Sequence, residues 1–252
     1  VNHSLRSAIA KSAIAGNLSF KPRRRTAAEV AAQKERENCQ VLKLRAERSM
    51  TAILEKHCLD PADLWESSPI RLTDDPANDW RLLLQLFKPS DVVWIGNKFS
   101  SCADDKPESE KNRCRKFFRP VQEWLAHPAT PAQFTCPSVF KCGSYSRSNN
   151  NVVLRRFLVV ESDTLTKPEI CAIFSWCRQF MRLRAVVDTA GKSLHGWFDA
   201  PGTAAERELK FILPGLGCDP ALFKLAQPCR LPGAVREGKI QSLLFLDLEG
   251  AQ

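Results

Sequence analysis

Glu161 and Asp163 close the apolar run Phe157-Leu158-Val159-Val160, separated only by Ser162. If the run is a strand, residues two apart share a face, and the two carboxylates lie within roughly 7 Å of each other. Two like charges at the end of a buried strand repel unless a cation sits between them, so the pair suits joint capture of one or two divalent ions. A solvated strand end, with Asp163 capping the next turn, is the other use of the same residues. Further on, Gly191-Lys192-Ser193-Leu194-His195 offers an ammonium, a hydroxyl and an imidazole. Ser193 and His195 share a strand face, and all three groups are donors suited to phosphate oxygens. The Gly-Lys-Ser triplet is not a P-loop, because the glycine required five positions before Gly191 is Val186. A third stretch, from Gln227 to Gly233, puts Arg230 on a short strand that leads into a Pro-Gly turn. An arginine buried there needs an anion, either a structural acid or a ligand phosphate. Asp219 is a candidate third carboxylate, although Asp219-Pro220 is also a good helix start, with Asp as the cap and Pro at the first helical position.

These side chains need elements to hold them. Residues 152–160 read as one long β-branched strand. Thr166-Lys167-Pro168-Glu169 is a capping box that opens an amphipathic helix to about Phe180. Residues 183–188 and 192–198 read as a hairpin turning at Thr189-Ala190-Gly191. Residues 203–206 cap a helix expected to stop before Pro214-Gly215. A short helix after Asp219-Pro220 and strands at 229–231 and 242–246 complete this half. Upstream, Asp60-Pro61 and Asp75-Pro76 predict helices over 61–66 and 76–87. Residues 91–96 predict a buried strand, 100–116 a polar loop, 120–126 a short helix and 133–141 extended chain. Thr26-Ala27-Ala28-Glu29 fits a capping box for a helix towards Lys56 whose apolar face is thin (Val30, Val41, Leu44). The expected division is a basic arm and helical extension over 1–60 and a catalytic domain over 61–252.

The formal net charge is +9, from 37 Lys or Arg against 28 Asp or Glu. Residues 1–50 hold 11 of the basic residues and 4 of the acids, so a surplus of seven sits there and only two in the remainder. The charge points to a polyanion, met chiefly by an arm ending in Lys21-Pro22-Arg23-Arg24-Arg25, which reads as a phosphate-binding tail or a plain disordered arm. A hydrophobic content of 44% excludes wholesale disorder. The apolar runs are too short to span a bilayer, so no membrane is expected. Ten irregularly spaced cysteines without a secretory leader, several in apolar settings such as Cys171 and Cys177, read as free thiols in a reducing compartment, the cytoplasm. Residues 1–28 also have the composition of an organelle transit segment. Zinc is not expected, because Cys102, Cys114, Cys136 and Cys142 include no CxxC pair. Trp80, Trp94, Trp124, Trp176 and Trp197 read as core. The polar run Tyr145–Asn151 reads as a loop in which Arg147 meets template or nucleotide phosphate, or as plain surface.

Taken in order, an acid-x-acid pair on a strand, Ser-x-His on a hairpin, and an acid followed by a strand arginine resemble the archaeo-eukaryotic primase superfamily, the primase–polymerases. The stretches RFLVVESD, VVDTAGKSLHGWF and CRLPG are similar to primase-like domains of phage and plasmid replication proteins. The resemblance spans roughly residues 145–247 and is weak or absent over 1–90. It implies an α+β fold with a mixed, RRM-like catalytic sheet and an N-terminal helical extension. The implied activity is that of a DNA primase or primase–polymerase in mobile-element replication: template-directed nucleotidyl transfer from nucleoside triphosphates on single-stranded DNA. Glu161, Asp163 and Asp219 would hold two Mg²⁺ or Mn²⁺ ions, and Lys192, Ser193, His195 and Arg230 the triphosphate. Two departures stand out. Glu161 occupies a position where Asp is commoner. The third acid is open, because the segment after Gly217 reads partly helical and the fallback, Asp188, precedes the Ser-x-His motif. With no P-loop present, a helicase would be a separate or fused partner. A non-catalytic replication-initiation module of the same fold and a metal-dependent nuclease would draw on the same residues.

Overall fold

The computed structural model describes residues 26–73 and 75–250, so the basic arm ending at Arg25 lies outside the described residues. Helix starts follow local chemistry. The Thr26 Oγ1 accepts from the Glu29 N–H (3.2 Å), Glu29 Oε2 accepts from the Thr26 N–H (2.7 Å), and α1 runs over Ala27–Lys56. The chain divides into two units, 1–38 and 39–252. In the first, the described residues are all exposed; the second contains every element that follows. Asp60 Oδ1 accepts from the Ala62 and Asp63 N–H groups and opens α2 (Pro61–Glu66). Asp75 caps a 3-10 turn, Pro76–Asn78, which leads into α3 (Asp79–Leu84). The helix predicted over 76–87 is therefore shorter and begins more tightly wound.

β1 (Val92–Gly96) is buried along its length. The stretch predicted as a polar loop contains α4 (Glu108–Arg115), which has neither a buried residue nor a side-chain cap and so leaves no periodic signal. β2 (Phe118–Pro120), α5 (Val121–Leu125), β3 (Phe134–Thr135) and β4 (Ser138–Phe140) follow. The run 152–160 is two strands, not one: β5 (Val152–Arg155) pairs with β4, whereas β6 (Phe157–Val160) joins another sheet. The break falls at Arg156, where the Arg156 and Phe157 N–H groups both donate to the Pro137 carbonyl and the Arg156 Nε donates to Asp91 Oδ2 at 2.8 Å. α6 (Lys167–Cys177) begins at the Thr166–Glu169 capping box, and β7 (Leu183–Asp188) and β8 (Leu194–Asp199) form the expected hairpin. α7 (Thr203–Gly215) is opened by Gly202 and continues through Pro214. That proline removes one hydrogen bond in the last turn, at the carbonyl of exposed Lys210, where water can substitute. A 3-10 turn (Pro220–Phe223), β9 (Cys229–Arg230), the hairpin β10 (Val235–Arg236) and β11 (Lys239–Ile240), and β12 (Ser242–Leu246) complete the chain.

The fold is α+β. Its two larger sheets have the orders β12-β7-β8-β6 and β2-β1-β3-β9. Among the described residues every strand pair is antiparallel, which corrects the mixed sheet expected from the sequence. β6 and β7 do run the same way, as the crossover through α6 requires, but β8 lies between them and no parallel ladder forms.

Side chains alternate along β6 and β8, whereas β7 and β12 carry irregularities at 183–185 and 243–245. Leu158, Val160, Val186, Leu194 and Phe198 face a core with Ile170, Ile173 and Phe174 of α6 and Leu209 and Leu213 of α7. Phe157, Val159, Val187 and Trp197 face a second core with Trp80, Leu83 and Leu84 of α3 and Val93 and Ile95 of β1. A sheet covered on both faces needs apolar residues on both, hence the unbroken hydrophobic runs. All five tryptophans read as core pack in it, and all ten cysteines are free, Cys171 and Cys177 among the buried ones. Among the described residues, no helix is long and apolar enough to cross a membrane.

Asp79 ties α3 to β12, its Oδ2 accepting from the Leu243 N–H at 2.6 Å. Burial pushes its carboxyl up to about 6 from 3.8, against the lowering effect of that hydrogen bond and helped by the charge of Asp75. The folded state therefore keeps the proton to higher pH than the unfolded chain does. This contribution to stability is fully present below the unfolded value and is lost as pH rises through about 6. Asp79→Asn keeps an acceptor for Leu243 and removes the buried charge. It is expected to raise stability at pH 7.5 by about 1–2 kcal/mol and to flatten the acid-to-neutral decline, measured by urea melts across that range. Destabilisation by Asp79→Asn at pH 7.5 would contradict this account.

Candidate functional site

The alternation that builds the first sheet also aims the acid at its end. Val159 faces the core between the sheets, Val160 faces the other core, and Glu161, the next residue, turns back towards the second sheet. His195 on β8 lies two residues before Trp197 and shares its face. The two side chains meet, with His195 Nε2 2.5 Å from Glu161 Oε2. The Nδ1 of the same ring accepts the backbone N–H of Arg230 on β9 at 3.3 Å. A ring that accepts at Nδ1 carries its proton on Nε2, so the contact with Glu161 is an N–H donating to a carboxylate.

A cleft of about 300 Å³ opens at this junction, and six residues singled out from the sequence line it: Glu161, Asp163, Ser193, His195, Asp219 and Arg230. Lys192 sits exposed on the turn before β8, outside the lining. Asp219 plays both roles considered for it. Its Oδ1 accepts from the Ala221 N–H at 2.8 Å as a cap, while its backbone N–H donates to the Glu161 carbonyl at 2.9 Å and brings it to the cleft. Asp188 is held elsewhere, by the Lys167 ammonium at 2.6 Å and the Ala190 N–H at 2.9 Å. Ser193 is buried, its Oγ donating to the Leu194 carbonyl at 3.3 Å. Arg147 lies on the loop before β5 and is not part of the lining.

The structure adds Phe134, Thr189, Gln227, Pro228 and Arg236, which sequence reasoning missed. Arg236 had a readable signal. Glu237 and Gly238 both have positive φ, 50° and 77°, as a two-residue hairpin turn requires, and a charged-residue–Gly pair between short extended segments is the mark of such a turn. The Arg236 guanidinium packs over Gly191, where a Cβ would come 3.0 Å from Nη1.

The cleft holds both carboxylates and guanidinium groups. Burial pushes the Glu161 carboxyl up, but His195 and Arg230 pull it down further, so it lies below its ordinary value of 4.5 and is ionised at neutral pH. Burial lowers the Arg230 guanidinium and nearby Arg236 adds to this, opposed by Glu161 and Glu237. Arginine stays protonated under such pressure, so the pair presents positive charge that an anion would relieve. Arg230 stacks on the Phe134 ring at 4.3 Å, and neither its guanidinium nor the Asp163 carboxylate has an ion-pair partner among the described residues.

Among the described residues, no three His, Cys, Asp or Glu side chains are grouped closely enough to hold an ion by themselves. The cleft does offer carboxylate oxygens, the donors that Mg²⁺ and Mn²⁺ take. Mg²⁺ is usually bound by one or two carboxylates, with the other positions left to water and substrate phosphates. Glu161 and Asp163 fit that requirement, whereas one oxygen of Asp219 is committed to its cap. No protein-family model matches the chain, and comparison with curated proteins and with solved structures finds no significant match.

Proposed function

We propose that the protein is a DNA primase or primase–polymerase of a mobile-element replication system, joining nucleotides on a single-stranded DNA template. One observation carries this reading: three carboxylates, two arginines and a histidine, brought from five separate stretches of sequence, line a single cleft. Arg230 and Arg236 offer planar, forked donors for the triphosphate of an incoming nucleotide. His195 positions Glu161 and holds it as a carboxylate, while the Arg230 N–H fixes the ring tautomer that lets it do so. Asp163, exposed and without an ion-pair partner among the described residues, completes the acidic pair. Glu161 and Asp163 would hold the Mg²⁺ or Mn²⁺, which would supply charge to lower the pKa of an attacking 3′-hydroxyl and to neutralise a departing pyrophosphate.

A binding-only module is favoured by one observation, that Glu161 is already engaged by His195. A single assay separates the readings. The protein is incubated with single-stranded template, with and without primer, labelled nucleotides and Mn²⁺, and the products are sized. Longer labelled products are expected. Shortened template without incorporation marks a nuclease, and intact template with no incorporation marks a binding module.

A further inference from the structure

Of the four cysteines weighed as zinc ligands, two come together. Cys102 and Cys114 are free, both are partly exposed, and their side chains are in contact. The backbone brings them there from two directions. The Cys102 N–H donates to the Tyr145 carbonyl at 3.2 Å, and its thiol points at the same oxygen at 3.8 Å. Cys114 arrives on α4. Lys111, Cys114 and Arg115 are spaced i, i+3 and i+4, so they share one helix face. That face is the sheltered one, whereas Asn112 and Arg113 on the other side are exposed. It rests on the loop that carries Tyr145. The Lys111 ammonium lies 4.9 Å and the Arg115 guanidinium 5.5 Å over the Tyr145 ring, and Arg115 Nε donates to the Gly143 carbonyl at 3.2 Å. Both thiols therefore meet beside Tyr145, one from the chain before α4 and one from α4 itself.

Their setting separates them from the other thiols. Cys136, Cys171, Cys177, Cys218 and Cys229 are buried, and burial pushes each of them up, as suits inert packing cysteines. Burial also raises Cys114, helped by the contact with Cys102 and by Glu110 and opposed by Lys116, so it rests as a thiol at neutral pH. Solvent nevertheless reaches both members of the pair. The helix that carries Cys114 is lightly held, because α4 has no buried residue and no side-chain cap at its start. A bond at Cys114 would close residues 102–114 into a loop and so restrain the segment that the core does not.

We propose that Cys102 and Cys114 form a reversible disulfide when the protein meets a peroxide, and that the bond pins α4 against the Tyr145 loop. One sulfur, as thiolate, attacks a peroxide oxygen; the O–O bond breaks, the leaving hydroxide takes up a proton, and a sulfenic acid remains. The second sulfur attacks that sulfenic sulfur; the S–S bond forms, the S–O bond breaks and the oxygen leaves as water. Two thiols lose two electrons and two protons in all, and one hydrogen peroxide becomes two waters. A dithiol reverses the bond, so the pair can cycle in a reducing compartment. The full chain is treated with hydrogen peroxide, remaining thiols are blocked, and unreduced peptides are mapped by mass spectrometry. A peptide joining Cys102 to Cys114, lighter by two hydrogen atoms and separated by dithiothreitol, is expected to form about tenfold faster than any product of the five buried thiols. Cys114→Ser is expected to form no such link. Trypsin cleavage after exposed Arg113 is expected to slow about tenfold in the oxidised wild type and to stay unchanged in peroxide-treated Cys114→Ser. The proposal is overturned if Cys102 and Cys114 stay free, pass straight to sulfinic acid, or join instead to exposed Cys58 or Cys142. A Cys102–Cys114 link that leaves cleavage at Arg113 unchanged overturns the pinning of α4. Should Cys114→Ser not fold, the wild-type map and cleavage rates before and after dithiothreitol decide alone.

Discussion

Glu161→Gln is expected to lower Mn²⁺-dependent nucleotide incorporation by about 10²–10³-fold, with the fold and oligo-dT binding retained. Glutamine has the shape of glutamate and can still accept the His195 Nε2–H, so the substitution removes the charge and little else. The lost charge is one that the cleft works to keep, because His195 and Arg230 hold the carboxyl below its ordinary value despite burial. By the same token, the Glu161 charge contributes stability above the unfolded pKa that is lost as pH falls through the depressed folded value, and Glu161→Gln removes that acid-side dependence. Asp188→Asn serves as the control: it disturbs the Lys167 pair outside the cleft and is expected to leave incorporation unchanged. Incorporation by Glu161→Gln within about threefold of wild type would remove the acid pair from the mechanism.

Gly196→Ala is the stability counterpart, with an expected cost of about 1–3 kcal/mol. A Cβ at this position would come 2.6 Å from Cε1 of Phe174, a fully buried ring that packs edge-on against Phe198 at 5.9 Å and has nowhere to retreat. Gly196 pairs with Val160 on one side and Val186 on the other, so its strand cannot move out of the sheet to make room. It also follows His195, so displacement of β8 reaches the cleft. Phe174→Leu opens space over the glycine. In a double-mutant cycle, Gly196→Ala is expected to cost measurably less in the Phe174→Leu background than alone. Denaturant melts give all four stabilities, and additivity within error would show that the steric contact is not the reason glycine stands here.

How legible each feature was in the sequence follows from how local its chemistry is. The caps at Thr26, Asp60, Asp75 and Thr166 use side chains that bond to their own next turn, and all four were readable. The hairpin at 189–191 was readable for the same reason. α4 was not, since every residue on it is at least partly exposed and no apolar spacing marks it. The break at Arg156 depends on Pro137 and Asp91, distant in sequence, so a continuous β-branched run concealed it. The sheets' antiparallel pairing was hidden because strand order is decided by which edge β8 takes after the hairpin. In the site, Glu161, His195 and Arg230 could be named from type and spacing. That they meet depends on contacts between two sheets, as does the arrival of Phe134 and Arg236.

The division of the cleft between two sheets has a consequence for its width. Glu161 and His195 are carried by the sheet containing β6 and β8, Arg230 and Phe134 by the sheet containing β3 and β9, and the two sheets share no strand. The spacing from acid to arginine is therefore a gauge set by the apolar filling between them, where Trp197, Val159 and Val187 of one sheet press on Val93, Ile95 and Cys229 of the other. A methyl group added or removed in that layer would reset the aperture without touching a polar residue, so tolerance for one substrate over another can drift through positions that never contact it.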